Sequence, residues 1–98
     1  MIYMSIGSEE DFDSYYSPYD AGYEAGFWLY HALDNEEGRF SYEWTDSGVH
    51  VWPYYHGKRY IRVFVGDVKG KRRRGLREFE RKMFVKGMKD AVDDMIEE

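Results

Sequence analysis

The sequence predicts a small α+β domain of order α-β-β-β-α, with a three-stranded antiparallel sheet and an extra N-terminal edge strand. Three observations carry this expectation. An apolar repeat of helical period with a clear start signal runs from Ser17 to Leu33, three alternating segments separated by turn residues lie between Arg39 and Val65, and a second helical repeat begins at Leu76. A chain of 98 residues suffices for one domain, 1–98, burying about 60% of its extended surface.

Taken in order, Ile2, Met4 and Ile6 alternate with Tyr3 and give the short edge strand. Residues 1–16 as a whole read as an acidic, aromatic lead segment with a flexible character, since Glu9, Glu10, Asp11 and Asp13 are interleaved with Phe12, Tyr15 and Tyr16. Ser17, Pro18, Tyr19 and Asp20 then occupy N-cap to N3 of a helix: a hydroxyl acceptor, a proline whose missing N–H costs nothing there, and a carboxylate able to reach back. At about 100° per residue, Asp20, Glu24, His31 and Asn35 form a narrow polar stripe opposite Gly22, Gly26, Leu29 and Leu33. Two glycines inside a helix together cost about 1–2 kcal/mol, so a second backbone or a ring should press on the groove they leave.

After a polar break at Asp34 to Gly38, Arg39–Trp44 sets Phe40, Tyr42 and Trp44 against Arg39, Ser41 and Glu43. Asp46, Ser47 and Gly48 form a turn, Val49–Tyr54 continues until Pro53 ends it or confines it to an edge, and Tyr60–Val65 aligns Ile61, Val63 and Val65. Short turns between these runs favour a meander, with Trp52, Tyr54 and Phe64 on a second apolar face. A basic connector, 69–75, leads into a helix from about Arg74 to Met95, in which Leu76, Phe79, Met83, Met88, Ala91 and Met95 recur. Its acidic last turns suit the helix dipole poorly; Lys86 with Asp90 and Lys89 with Asp93 offer local pairs.

Charge is blocked along the chain within a net of −5. Nine carboxylates and no lysine or arginine occupy 1–38, whereas eleven basic residues face only Asp67, Glu78 and Glu80 between Lys58 and Lys82. Aromatic residues make up 19%, ten of them tyrosines, a composition that serves cores and protein interfaces alike. With no cysteine, disulfides and thiolate chemistry are excluded, and a cytoplasmic location is expected. The first residues lack the basic and apolar regions of a secretory signal, and no apolar run approaches the roughly 20 residues of a membrane span.

Chemistry finds little support. Glu24 and His31 are separated by about 10 Å along a helix axis, and His50 and His56 lack the spacing of a histidine metal motif. Asp20 and Glu24 would need further oxygen ligands to hold a divalent ion, and Gly66, Gly70 and Gly75 do not form a phosphate-binding loop. No catalytic residue, metal or cofactor is expected.

Two binding functions compete. The first is a non-enzymatic protein-binding module, an inhibitor in character, that presents Glu9, Glu10, Asp11, Phe12, Asp13, Tyr15, Tyr16, Asp20, Glu24 and Trp28 to a protein that handles nucleic acid, acting as a polyanion in place of the nucleic acid. A phage or mobile-element protein that blocks a host nuclease or transcription component fits this pattern. The alternative is direct DNA or RNA binding through Lys69, Lys71, Arg72, Arg73, Arg74, Arg77 and Arg81. Neutralisation of the basic block by the N-terminal carboxylates is the bland reading of the same charges. A homodimer through the Gly22/Gly26 face or the C-terminal helix is the third use of the exposed features.

Overall fold

The computed structural model describes residues 1–7, 9–33, 39–54, 57–66 and 73–97. Their elements are β1 (Ile2–Ile6), β2 (Glu9–Tyr15), α1 (Pro18–His31), β3 (Ser41–Thr45), β4 (Gly48–Trp52), β5 (Ile61–Gly66), β6 (Arg73–Arg74) and α2 (Glu78–Ile96). Five strands form a continuous antiparallel sheet in the order β2-β1-β5-β4-β3, and the two-residue β6 pairs with the end of β5. The α+β class holds, but the sheet is larger than the expected three strands, and the expected α-β-β-β-α order gives way to a chain that begins with a β-hairpin.

The reason lies in the first fifteen residues. Ile2 and Met4 alternate because they face the core, and β1 is interior to the sheet, between β2 and β5, instead of at its edge. The segment expected as a flexible lead is β2, whose Asp13 and Tyr15 pair with Met4 and Ile2. A strand with only one paired edge tolerates this many carboxylates, which also discourage unwanted edge pairing.

Cross-strand register explains which side chains share a face. Asp13, Met4, Val63, Val49 and Trp44 form one row across all five strands, each opposite the next. This row belongs to the face that carries both helices: Ala21, Ala25 and Leu29 of α1 and Phe84 and Met88 of α2 join Ile2, Met4, Val49, Val51, Ile61, Val63 and Val65 in one core. The other face bears the row Ser5, Arg62, His50 and Glu43, with Arg62 Nε donating to Ser5 Oγ at 3.3 Å. Trp52 and Phe64 are on this helix-free face as expected, yet they are only 8% and 2% exposed. Rings cover rings there: Tyr3 stacks on Phe64 at 5.8 Å, Phe12 meets it edge-on at 5.4 Å, and Tyr60 lies 6.0 Å from Trp52.

Helix–helix contact is where the glycines are used. A Cβ on Gly22 would collide with the backbone carbonyl of Phe84, one on Gly26 would stand 2.7 Å from the Ala91 methyl, and one on Gly87 would meet the backbone of Tyr19 and Tyr23. Contacts therefore climb together, Gly22 with Phe84 and Gly26 with Met88 and Ala91, so α1 and α2 run in the same direction. The groove foreseen from Gly22 and Gly26 is filled by α2 itself, and the Phe84, Met88, Ala91 and Val92 stripe of α2 is equally buried. The Gly22/Gly26 face expected to serve a homodimer is thus used inside the chain, whereas the expected α2 stripe is divided: Phe79 and Met83, with Ile96 near the helix end, stay exposed.

Helix starts differ in detail from expectation. Ser17 is the N-cap of α1, with extended backbone and Pro18 following, but its hydroxyl makes no capping bond. Helix α2 begins later than expected, after the N-cap Arg77, where the Glu80 carboxylate accepts the Arg77 backbone N–H at 3.0 Å.

Candidate functional site

Two flanks of the helical layer carry the exposed chemistry. The first is an acidic ridge built from α1, the end of β2 and the C-terminal half of α2. Helical spacing puts Asp20, Glu24, Phe27 and His31 along the outer side of α1, with Asp20, Phe27 and His31 exposed. On the β2 side, Tyr15 lies close to Glu24 and Asp13. Burial first, and then these two carboxylates, push its hydroxyl well above the ordinary tyrosine range. On the α2 side, the Tyr19 hydroxyl donates to Asp90 at 2.7 Å and the Tyr23 hydroxyl to Asp94 at 3.0 Å. The Asp90 bond raises the Tyr19 pKa, with smaller contributions from burial and the neighbouring charges. Tyr16, 89% exposed, projects from the turn ahead of α1.

The second flank lies between the outer edge of the sheet and α2. Here Tyr42 and Trp44 of β3 and Arg81, Lys82, Lys86 and Lys89 of α2 line an open groove of about 570 Å³ that ends near Asp90 and Asp93. The Arg81 guanidinium sits over the Trp44 ring, 4.9 Å from its centroid, and its Nε donates to the Leu76 carbonyl at 2.9 Å. Phe84 approaches the same indole at 6.2 Å, which ties the groove floor to the core.

The sequence-predicted sets are divided by this geometry. Asp13, Tyr15 and Glu24 come together on the acidic ridge, with Asp20 one helical turn before Glu24 and Tyr16 exposed next to Tyr15 in sequence. Trp28 is half-buried against the core, and Phe12 points to the helix-free face of the sheet. Glu9, Glu10 and Asp11 belong to β2, but their side chains lie outside the described part of the structure. Phe27, 41% exposed with its ring 4.6 Å from that of His31, takes the exposed aromatic position that Trp28 was expected to fill. Its position three residues beyond Glu24 was the available signal. The pairing of Tyr19 and Tyr23 with Asp90 and Asp94 spans 71 residues and has no local signature.

Among the basic candidates, Lys69, Lys71 and Arg72 lie outside the described residues, and Arg73 is in β6. Arg74 is engaged by Glu80 through two bonds of 2.7 and 3.1 Å. This contact with Arg74, followed by the Arg77 backbone amide, holds the buried Glu80 carboxyl below the usual carboxylate range despite its burial. Arg77 is exposed, and Arg81 belongs to the groove. Arg74 thus finds its partner in α2 instead of in the N-terminal carboxylates. The expected Lys86–Asp90 pair is replaced by the tyrosine bond to Asp90.

Among the described residues, no group of three or more His, Asp or Glu could hold a metal ion, and no helix is long and apolar enough to cross a membrane. Comparison with protein families, curated proteins and solved structures finds no match to this chain.

Proposed function

We propose that the protein is a non-enzymatic binding module, acting in the cytoplasm, that presents the acidic ridge of α1 to a basic surface of a protein that handles nucleic acid. One observation carries this reading. Asp13 and Glu24 flank Tyr15 on one side of α1, Asp90 and Asp94 accept the Tyr19 and Tyr23 hydroxyls on the other, and neither ion pair among the described residues involves these carboxylates. Charges spaced along a ridge offer a lysine- or arginine-rich cleft what a phosphate backbone offers it. Tyrosine rings add contact area with little conformational entropy to lose. Inhibition follows if the occupied cleft is the partner's own nucleic-acid site.

Capture of partners from a nuclease-treated extract at about 0.15 M salt, with the retained complex identified by mass, tests the reading. The expected result is a saturable protein complex that is lost when Asp20→Asn and Glu24→Gln are combined. Retention of nucleic acid alone, abolished by digestion, would sink it and favour direct binding through the basic segment.

A further inference from the structure

We propose that the groove between β3 and α2, which borders the acidic ridge at Asp90, is a second binding site for an extended acidic peptide that adds to the sheet beside β3. Strand β3 ends the sheet order, and among the described residues only β4 pairs with it. Its outer edge therefore supplies backbone donors and acceptors for an added strand. The helix-facing side chains of that strand would point into the groove, toward α2.

Charge fits such an occupant, and lysine side chains are long enough to take up the difference in spacing. Lys82, Lys86 and Lys89 rise along α2 in steps of about 6 and 4.5 Å, while alternate residues of a strand repeat every 6.8 Å or about that. A peptide with carboxylates at alternate positions sets them against this row, with Arg81 at its start. Lys82, Lys86 and Lys89 are exposed, Lys82 with Glu78 at 3.9 Å, and among the described residues the carboxylates lining the groove are Asp90, which accepts the Tyr19 hydroxyl, and Asp93.

The same details disfavour a nucleic-acid strand. Arg81 already covers the Trp44 ring, and Tyr42 and Phe84 contact that ring at 5.5 and 6.2 Å, so the indole is not an open platform for a base. Asp90 and Asp93 would repel a continuous phosphate chain, whereas a peptide can leave those positions uncharged.

The experiment is an NMR titration of the whole protein with a short capped peptide of alternating Glu and Val. Expected are saturable shifts of the amides of residues 41–45, loss of binding when alternate peptide nitrogens are methylated, and about tenfold weaker binding after Lys86→Glu with Lys89→Glu. Both lysines are exposed, and an unchanged thermal melt of that variant shows that its fold survives. Absence of saturable shifts overturns the proposal, as does binding indifferent to methylation. Tighter occupancy of the groove by an oligothymidylate of equal length also overturns it and assigns the site to single-stranded nucleic acid. The peptide titration does not depend on Asp20 and Glu24, so its failure is distinguishable from a failure of the ridge reading, which the Asp20→Asn with Glu24→Gln variant tests.

Discussion

The two flanks of the helical layer are made from the same kinds of residue and differ in how the charge is held. On the acidic ridge, carboxylates of α2 accept tyrosine hydroxyls from α1, so negative charge is fixed in place without being cancelled. At the start of α2, Glu80 is buried, takes two bonds from Arg74, and serves the fold. In the neighbouring groove the cations stay toward solvent, apart from Arg81, which lies on Trp44. A tyrosine bond keeps a carboxylate charged and visible, and an arginine pair removes it from view. The ridge and the groove are therefore candidates for recognition, and the Arg74–Glu80 pair is a structural clasp.

The largest effect is expected where the flanks are joined. Gly22→Leu would drive a side chain into the Phe84 carbonyl, and the backbones cannot separate without opening the core beneath them. A loss of about 3 kcal/mol is expected in urea denaturation, with tryptophan fluorescence and circular dichroism changing together. Loss of α2 signal alone would show that the flanks fold separately.

Next comes the clasp. Glu80→Ala removes three bonds at the start of α2 and should cost about 1–3 kcal/mol. Because the folded carboxyl is held below its unfolded value, its contribution is present above about pH 4.3 and is lost as pH falls through the lowered folded value. Glu80→Gln should flatten this acid limb, as measured by denaturation midpoints across pH.

The smallest effects belong to the ridge. Tyr19→Phe should leave the denaturation midpoint nearly unchanged, since the Tyr19 hydroxyl lies outside the core cluster. Its signature is spectroscopic. Tyr15 and Tyr19 should ionise above the usual tyrosine value of about 10. The stability linked to their neutral hydroxyls is present below that value and declines as pH rises toward the raised folded values. Absorbance titration should show Asp90→Asn shifting Tyr19 downward while Tyr15 stays raised. Equal shifts of both would mean that the ridge titrates as one unit.

Much of the architecture was legible locally. The period from Ser17 to Leu33 located α1 and its buried glycines, and alternation located β3, β4 and β5 within two residues. The hairpin β1–β2 was misread because carboxylates in Glu9–Tyr15 look like a solvated segment until Asp13 and Tyr15 are seen paired with Met4 and Ile2. Acidic residues at the end of α2 looked unfavourable for the dipole, since the tyrosines that bind them are 71 residues away. Asp13, Tyr15, Tyr16, Asp20 and Glu24 of the ridge were therefore named from sequence, and the groove was missed. Lys82, Lys86 and Lys89 resemble an ordinary solvated helix face until β3 is placed beside them.

On the proposed reading the acidic ridge, and not the basic groove, binds the captured partner. Affinity for that partner should be measured for two opposite charge reversals, Asp20→Lys with Glu24→Lys and Lys86→Glu with Lys89→Glu, each checked by its melting curve. A loss of about a hundredfold for the first and less than about threefold for the second is the expected result. The reverse order would contradict the account and move the principal interface to the groove.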